Sequence, residues 1–388
     1  MLDLRGHFSR FLTADPKRLH FAAHSHHPWP DVTREAQLAC WDLAARQQDS
    51  KWEAVLGALW QDCQALVAGR LNLPDPRTLV FAQSTHDFLL RILSAMPRRP
   101  RILTTDGEFH SLSRQLARLE EEALAEVTRV PAEPGADCLP RLLEATRKRP
   151  FDLIWVSEVF FGSGQALVGL EALAADAGEA ELVIDGYHAF MARPVDLSAL
   201  ATRAFYLAGG YKYAMAGEGA AFLHCPPGRL PRPRATGWFA GFGTLEGAQP
   251  GAVPYAEDGW RFMGATFDPS GLFRLRASLR WLEELGVSTA TIHAHAHALQ
   301  ARFVAGLPGT GLDPARLVVP LADPNRGNFL AFDLPDAAEW QARLAAAGIV
   351  TDRRDRRLRF GFGPYQTEAE VDALLGRLRA MAPAVRRR

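Results

Sequence analysis

The stretches ELVIDGYHAF (residues 181–190) and AFYLAGGYKYAMAGEGAAFLH (204–224) decide the fold. They hold three short apolar runs, ELVID, AFYLAG and GAAFLH, bounded by glycines and polar residues. Upstream, TLVFA (78–82), RILTT (101–105) and DLIWVS (152–157) repeat the pattern, with helix-like segments at 86–96, 110–123, 139–148 and 169–178 between the runs. Strands alternating with helices make βαβ units, and these predict an α/β fold with a mostly parallel central sheet and helices on both faces. Reactive groups in such sheets gather where strands end. Asp185 closes one run, and Lys212 sits in the glycine-rich turn after the next.

The flanks read differently. Residues 33–70 form a long helical stretch, and after Pro269 helices are predicted near 271–285 and 288–305. Apolar runs at 317–321, 328–333 and 357–361 then alternate with helices at 336–347 and 367–381. The expected organisation is an N-terminal segment (1–32), a large domain (33–255) and a small C-terminal α+β domain (256–388). Pro226, Pro227 and the Gly/Pro-rich stretch 226–254 mark the join.

Composition narrows the class of function. Of 388 residues 48% are hydrophobic and 23% charged, as in an ordinary globular protein. Lys+Arg and Asp+Glu both count 44, so no net charge draws the chain to nucleic acid or an acidic membrane. No signal peptide or membrane span is expected from the apolar patterning. Cys40, Cys63, Cys138 and Cys225 are scattered and form no C-x-x-C pair, which predicts a reduced, cytoplasmic setting. Arg353, Arg354, Arg356 and Arg357 read as a solvated face, and Arg386, Arg387 and Arg388 as a frayed tail. His24, His26 and His27 have no carboxylate or cysteine at ligand spacing, so no metal is expected. His293, His295 and His297 read as part of a solvated helix.

A carboxylate at a strand end beside a lysine in a glycine-rich turn suits pyridoxal-5′-phosphate (PLP) chemistry. The lysine anchors the aldehyde and moves a proton, while the carboxylate keeps the pyridine nitrogen protonated. Gly209 and Gly210 let backbone approach a cofactor closely. Taken alone, the pair is equally a turn lysine and a strand-end aspartate of no special role.

Further motifs lie around it in order: AQSTHDFLL (82–90), TDGEFHSL (105–112), VSEVFFGSGQAL (156–167), DGYH (185–188), GYKY (210–213), ATGWFAGF (235–242) and RLRFGFGPYQTEAEVDALLGRL (357–378). Together they resemble the class V aminotransferase superfamily of PLP fold type I, and within it the kynureninases. The resemblance implies PLP as cofactor, with Ser84 and Thr85 on the phosphate, where a hydroxyl at a helix N-terminus makes an anion site. It puts Phe109 over the cofactor ring, Asp185 on the pyridine nitrogen, His188 at the ring oxygen, Tyr211 near the phosphate and Lys212 as the covalent anchor. It places Trp238 in the active site and Arg359, a planar carboxylate-gripping fork, on the substrate's α-carboxylate. Ser163 stands where the kynureninase loop has Thr. GATFDPSG (264–271) replaces Ser-Asn-Pro-Pro, making Thr266 a candidate phosphate contact from a neighbouring subunit and Asp268 a stand-in for the lost Asn. The aryl-binding His segment is barely recognisable in RQQDSKWEAV (46–55), and His24, Ser25 and His26 are candidate replacements. The implied activity is kynureninase-like cleavage on the β-carbon side of an amino acid, by a homodimer with shared active sites. The alternatives are a class V aminotransferase, a carbon–sulfur lyase, or a non-catalytic binding protein on the same fold. A desulfurase needs a catalytic cysteine near 320–330, and LADPNRGNFL (321–330) has none.

Overall fold

The computed structural model describes residues 2–247, 251 and 253–381. The expected tail at 386–388 and part of the expected join at 226–254 lie outside them. Strand β1 (Leu19–His20) precedes a helical region, and β2 (Leu79–Ala82) then enters the main sheet. Six more strands follow: β3 (Arg101–Thr105), β4 (Glu126–Val130), β5 (Leu153–Ser157), β6 (Glu181–Asp185), β7 (Ala204–Gly209) and β8 (Ala221–His224). Their order across the sheet is β2-β8-β7-β6-β5-β3-β4. Only β8 runs against its neighbours, so the sheet is mostly parallel as predicted. β5 and β7 are buried along their whole length, which is why they read as unbroken apolar runs.

The register does the positioning. Ser157 and Asp185 stand side by side at the ends of β5 and β6, with Leu207, two residues before the end of β7, next to Asp185. Loops leaving these ends carry Tyr187, His188 and Lys212 to one edge of the sheet. The helix Thr85–Ala95 starts beside them; the Ser84 backbone N–H and hydroxyl both donate to Asp87 at 3.1 Å and fix its first turn.

The long helical stretch predicted at 33–70 is interrupted. Gln48 adopts a φ of 48°, and Gly57 leaves helical geometry between the helices Val32–Gln47 and Trp60–Leu71. The remaining strands are β9 (Phe329–Asp333), β10 (Ile349–Val350), β11 (Asp352–Arg354) and β12 (Arg357–Gly361). β11, β12 and β9 form an antiparallel sheet in that order. The run at 317–321 forms no strand; Leu317 makes a single bridge to Phe332, and Pro320 has no N–H for a ladder. β1 pairs in parallel with β10, and Ala22 bridges to Gly361, so residues 19–22 lie against the C-terminal sheet.

Two main apolar clusters hold these parts, with a third, small one around Phe329. The larger surrounds the main sheet, and the smaller gathers Phe303, Phe332, Phe360 and Phe362 with Leu19 and Phe21. Helix Ser270–Glu284, grouped by sequence with the C-terminal unit, packs in the larger cluster through Leu272, Leu275, Leu279 and Leu282, spaced at the helical period. The histidine-bearing helix Thr289–Ala305 is not simply solvated: His295 is buried and bonded to the Gln366 carbonyl at 3.0 Å. No helix among the described residues is long and apolar enough to cross a membrane.

Candidate active site

Lys212 is buried, and its Nζ lies 2.7 Å from His188 Nε2. Three rings surround the amine: Tyr187 at 4.7 Å, Tyr211 at 5.6 Å and Phe109 at 5.7 Å. Burial removes the water that would stabilise the ammonium, and Lys212 falls to about 7 although Asp185 pulls the other way. Burial likewise raises the Asp185 carboxyl, against the Tyr187 N–H that it accepts at 2.9 Å and the Lys212 charge. His188 is pushed well below its ordinary value by burial and by Lys212, so the imidazole is neutral. Gly209 is required here, because any Cβ would run into the Tyr187 hydroxyl.

These groups line a cleft of about 220 Å³, together with Ser84, Thr85 and Phe109. A second cavity shares Lys212, His188, Phe109 and Tyr211 with the first and adds His24, His26 and Arg359. Arg359 is buried on β12, donates to the Phe161 carbonyl and to Asp352, and lies between the Phe161 and Phe329 rings. Burial lowers it to about 10, still charged at neutral pH. His24 stacks on Phe329 at 4.5 Å, in space kept open by Gly361, whose Cβ would strike the His24 ring.

The fold thus gathers Ser84, Thr85, Phe109, Asp185, His188, Tyr211, Lys212, Arg359, His24 and His26 around two joined cavities. Trp238 and Thr266 stand outside this group within one chain. Trp238 is 45% exposed and stacks on Phe239 at 4.1 Å; Thr266 is exposed, as is Asp268, which caps Ser270. Ser163 is buried and its hydroxyl accepts from the Gln165 N–H at 3.1 Å.

Several groups at the site escaped the sequence reading. The Glu108 carboxylate is buried beside Phe109 and accepts from the Thr105 hydroxyl at 2.7 Å and from the Ser157 hydroxyl at 2.6 Å. Burial raises it to about 7. Asp352 pairs with both Arg359 and Arg354, so Arg354 belongs to the cavity wall rather than to a merely solvated face. The one available signal was the alternation of acid and arginine in DRRDRRLR (352–359), which suggests a hairpin with cross-strand pairs.

PLP fits these residues. Among the described residues the buried amine has no salt-bridge partner and the buried His188 Nδ1 no hydrogen-bond partner; a buried carboxyl stands beside the amine, and a helix N-terminus opens on the same cleft.

Comparison with known proteins agrees. The fold matches a cysteine desulfurase from Thermococcus onnurineus at a TM-score of 0.80 and 18% identity, covering 98% of this chain and 99% of the other. It also matches a C-DES mutant with glycine covalently linked to its PLP cofactor, at a TM-score of 0.82 and 18% identity over 97% and 99% of the two chains. The fold is that of the PLP-dependent enzymes. Residues 30–374 match the model of Aminotransferase class-V, and the chain belongs to that family, whose cofactor is PLP. Among curated relatives, isopenicillin N epimerase of Streptomyces clavuligerus is 29% identical over 87% of this chain and 88% of its own. A cysteine desulfurase of Escherichia coli is 24% identical over 89% of each. Kynureninase of Deinococcus radiodurans is 30% identical over only 56% of this chain and 54% of its own. The kynureninase likeness is therefore the narrower one, and the alternatives to kynureninase-like hydrolysis fit the relatives better.

Proposed function

We propose that the protein removes the α-proton of an amino acid and works as an aminotransferase or a carbon–sulfur lyase of its family. The observation that carries this reading is one pair of joined cavities holding a buried amine at Lys212 and a buried guanidinium at Arg359. When bound, PLP supplies the electron sink that makes an α-proton removable. Lys212 would anchor the cofactor, and its amine would serve as the base for the α-proton, a role for which a value near 7 is well matched. Arg359 orients the substrate by its α-carboxylate. Asp185 would partner the pyridine nitrogen, Phe109 would pack on the ring, His188 would orient Lys212 and meet the ring oxygen, and Ser84, Thr85 and Tyr211 would hold the phosphate. In this reading the protein is a homodimer, and Trp238 and Thr266 reach the cleft of the neighbouring subunit.

Sulfur relay through a protein thiol has little support. Cys63, Cys138 and Cys225 are buried, with thiols pushed up to about 12, and no cysteine lines either cavity. The deciding experiment incubates the holoenzyme with cysteine, cystine, alanine and kynurenine, with and without an added keto acid. Turnover that requires the keto acid marks an aminotransferase; sulfur release without one marks a lyase. Alanine formed from kynurenine alone would restore the hydrolase reading and overturn this one.

A further inference from the structure

Resting on the reading that Lys212 anchors PLP, we propose that Tyr187 is a cofactor-binding residue. Its ring forms one face of an aromatic sandwich whose other face is Phe109. Tyr187 follows the end of β6 by two residues and lines the same cleft as Asp185. It leans sideways over β7, where its hydroxyl and ring fill the space that a Cβ on Gly209 would need. Phe109 comes from the other flank, in the loop after β3, and β3 lies beyond β5 on the far side of β6. Three strand spacings separate β3 from β7, about 14 Å, which leaves room for one more flat ring between side chains reaching in from each flank. The Lys212 amine marks that place, 4.7 Å from the centre of Tyr187 and 5.7 Å from the centre of Phe109.

The aldehyde carbon of PLP is a direct substituent of its pyridine ring. Once that carbon is joined to Nζ, the ring begins two bonds from the amine that both aromatic side chains flank. Aromatic pairs hold their centres roughly 4.5–7 Å apart, and a ring rooted at this amine falls within that reach of both. A pyridine ring kept protonated beside Asp185 is electron-poor, and the face of a phenol is electron-rich, so the two attract. Tyr187 is also held for the task. Tyr211 packs against its ring at 4.9 Å, and its backbone N–H donates to the Asp185 carboxyl at 2.9 Å. One residue thereby steadies the carboxyl for the pyridine nitrogen and supplies a face for the ring. Gly209 fits the same account: a bare position at the end of a buried strand seats the tyrosine. Tyr187 stays only half-buried, and the cleft is where its open surface lies.

The test dialyses holoenzyme against cofactor-free buffer and follows PLP loss by visible absorbance, with visible circular dichroism reporting how the bound ring is held. Tyr187→Ala is expected to lose PLP about tenfold faster than the parent and to show a weaker circular dichroism band per bound cofactor. Tyr187→Phe keeps the flat face and is expected to match the parent in both. Release from Tyr187→Ala at the parent rate overturns the proposal. Rapid release from Tyr187→Phe overturns it too, because the role would then belong to the hydroxyl. Should Tyr187→Ala not fold, Tyr187→Leu fills the seat above Gly209 without a flat face, and parent-like retention and circular dichroism from it overturn the proposal equally. Borohydride reduction of the parent, followed by peptide mapping, tests the reading underneath. Cofactor fixed to a residue other than Lys212 means that the anchor is wrong. Cofactor fixed to Lys212, with Tyr187→Ala retaining it as the parent does, means that only the sandwich fails.

Discussion

Two arginines separated by one residue, Arg357 and Arg359, share one face of the same strand, with Leu358 on the other, yet have different fates. Arg357 pairs with Glu133 and Asp333 at the surface, whereas Arg359 is buried among Phe161, Phe329 and Asp352. Arg359→Leu should weaken amino-acid binding by on the order of 2–5 kcal/mol, roughly thirty-fold to several thousand-fold, and spare cofactor binding. Arg357→Leu should change neither, as titration of both ligands would show. Glu108 gives a second prediction. Its folded value of about 7 lies above its ordinary 4.5, so the folded state binds the proton more tightly. The stability it contributes is complete below about 4.5 and is lost as pH rises through about 7, on the order of 3 kcal/mol. Glu158, also raised to about 7 by burial, has the same sign. Glu108→Gln keeps the shape of the neutral acid, so denaturation of cofactor-free protein at about pH 5 and about pH 8 should show a smaller loss than in the parent. Asp185, Lys212 and Arg359 were legible in the sequence because each lies at a strand end or on a strand that apolar runs announce. Glu108 was not, because its burial depends on Ser157 from a strand far along the chain. Asp352 was hidden by the arginines around it.

At the scale of elements, the alternation of strand and helix was readable because the inner parallel strands are buried and therefore mostly apolar. The edge strand β4 (EVTRV), largely unburied, showed no apolar run and was missed. What sequence could not supply was the order of strands, which brings the ends of β5, β6 and β7 together, or the break at Gly57 within an apparently continuous helical pattern. Run 317–321 has strand composition, but composition does not reveal the lack of a neighbour to pair with. The helix Thr85–Ala95 is the element whose placement matters most for the cofactor, since its N-terminus opens on the cleft. Thr85→Val removes a hydroxyl at that end without shortening the helix. Loss of one hydrogen bond to a charged group should speed cofactor release and weaken retention about tenfold, as dialysis against cofactor-free buffer followed by absorbance would show. Retention equal to the parent would place the phosphate elsewhere.

For the whole molecule, Trp238 and Thr266 are exposed and lie apart from Lys212 in a single chain, although their motifs resemble active-site segments. In a homodimer they would meet the neighbouring cleft, so light scattering should give twice the chain mass under assay conditions. Full activity from a monomer would refute this. Within one chain, the site has another dependence. Leu19 and His20 pair with Ile349 and Val350, Ala22 bridges to Gly361, and Tyr365 and Gln366 both donate to the His20 carbonyl. The wall that carries His24 and His26 is thus held by residues made more than three hundred positions later. At the usual pace of translation that separation amounts to on the order of tens of seconds. The main sheet can collapse and Lys212 can be in place while the opening residues still lack their partners. A nascent chain should therefore acquire the means to capture the cofactor before it can hold an amino acid, so that competence for chemistry arrives only with the last strands off the ribosome.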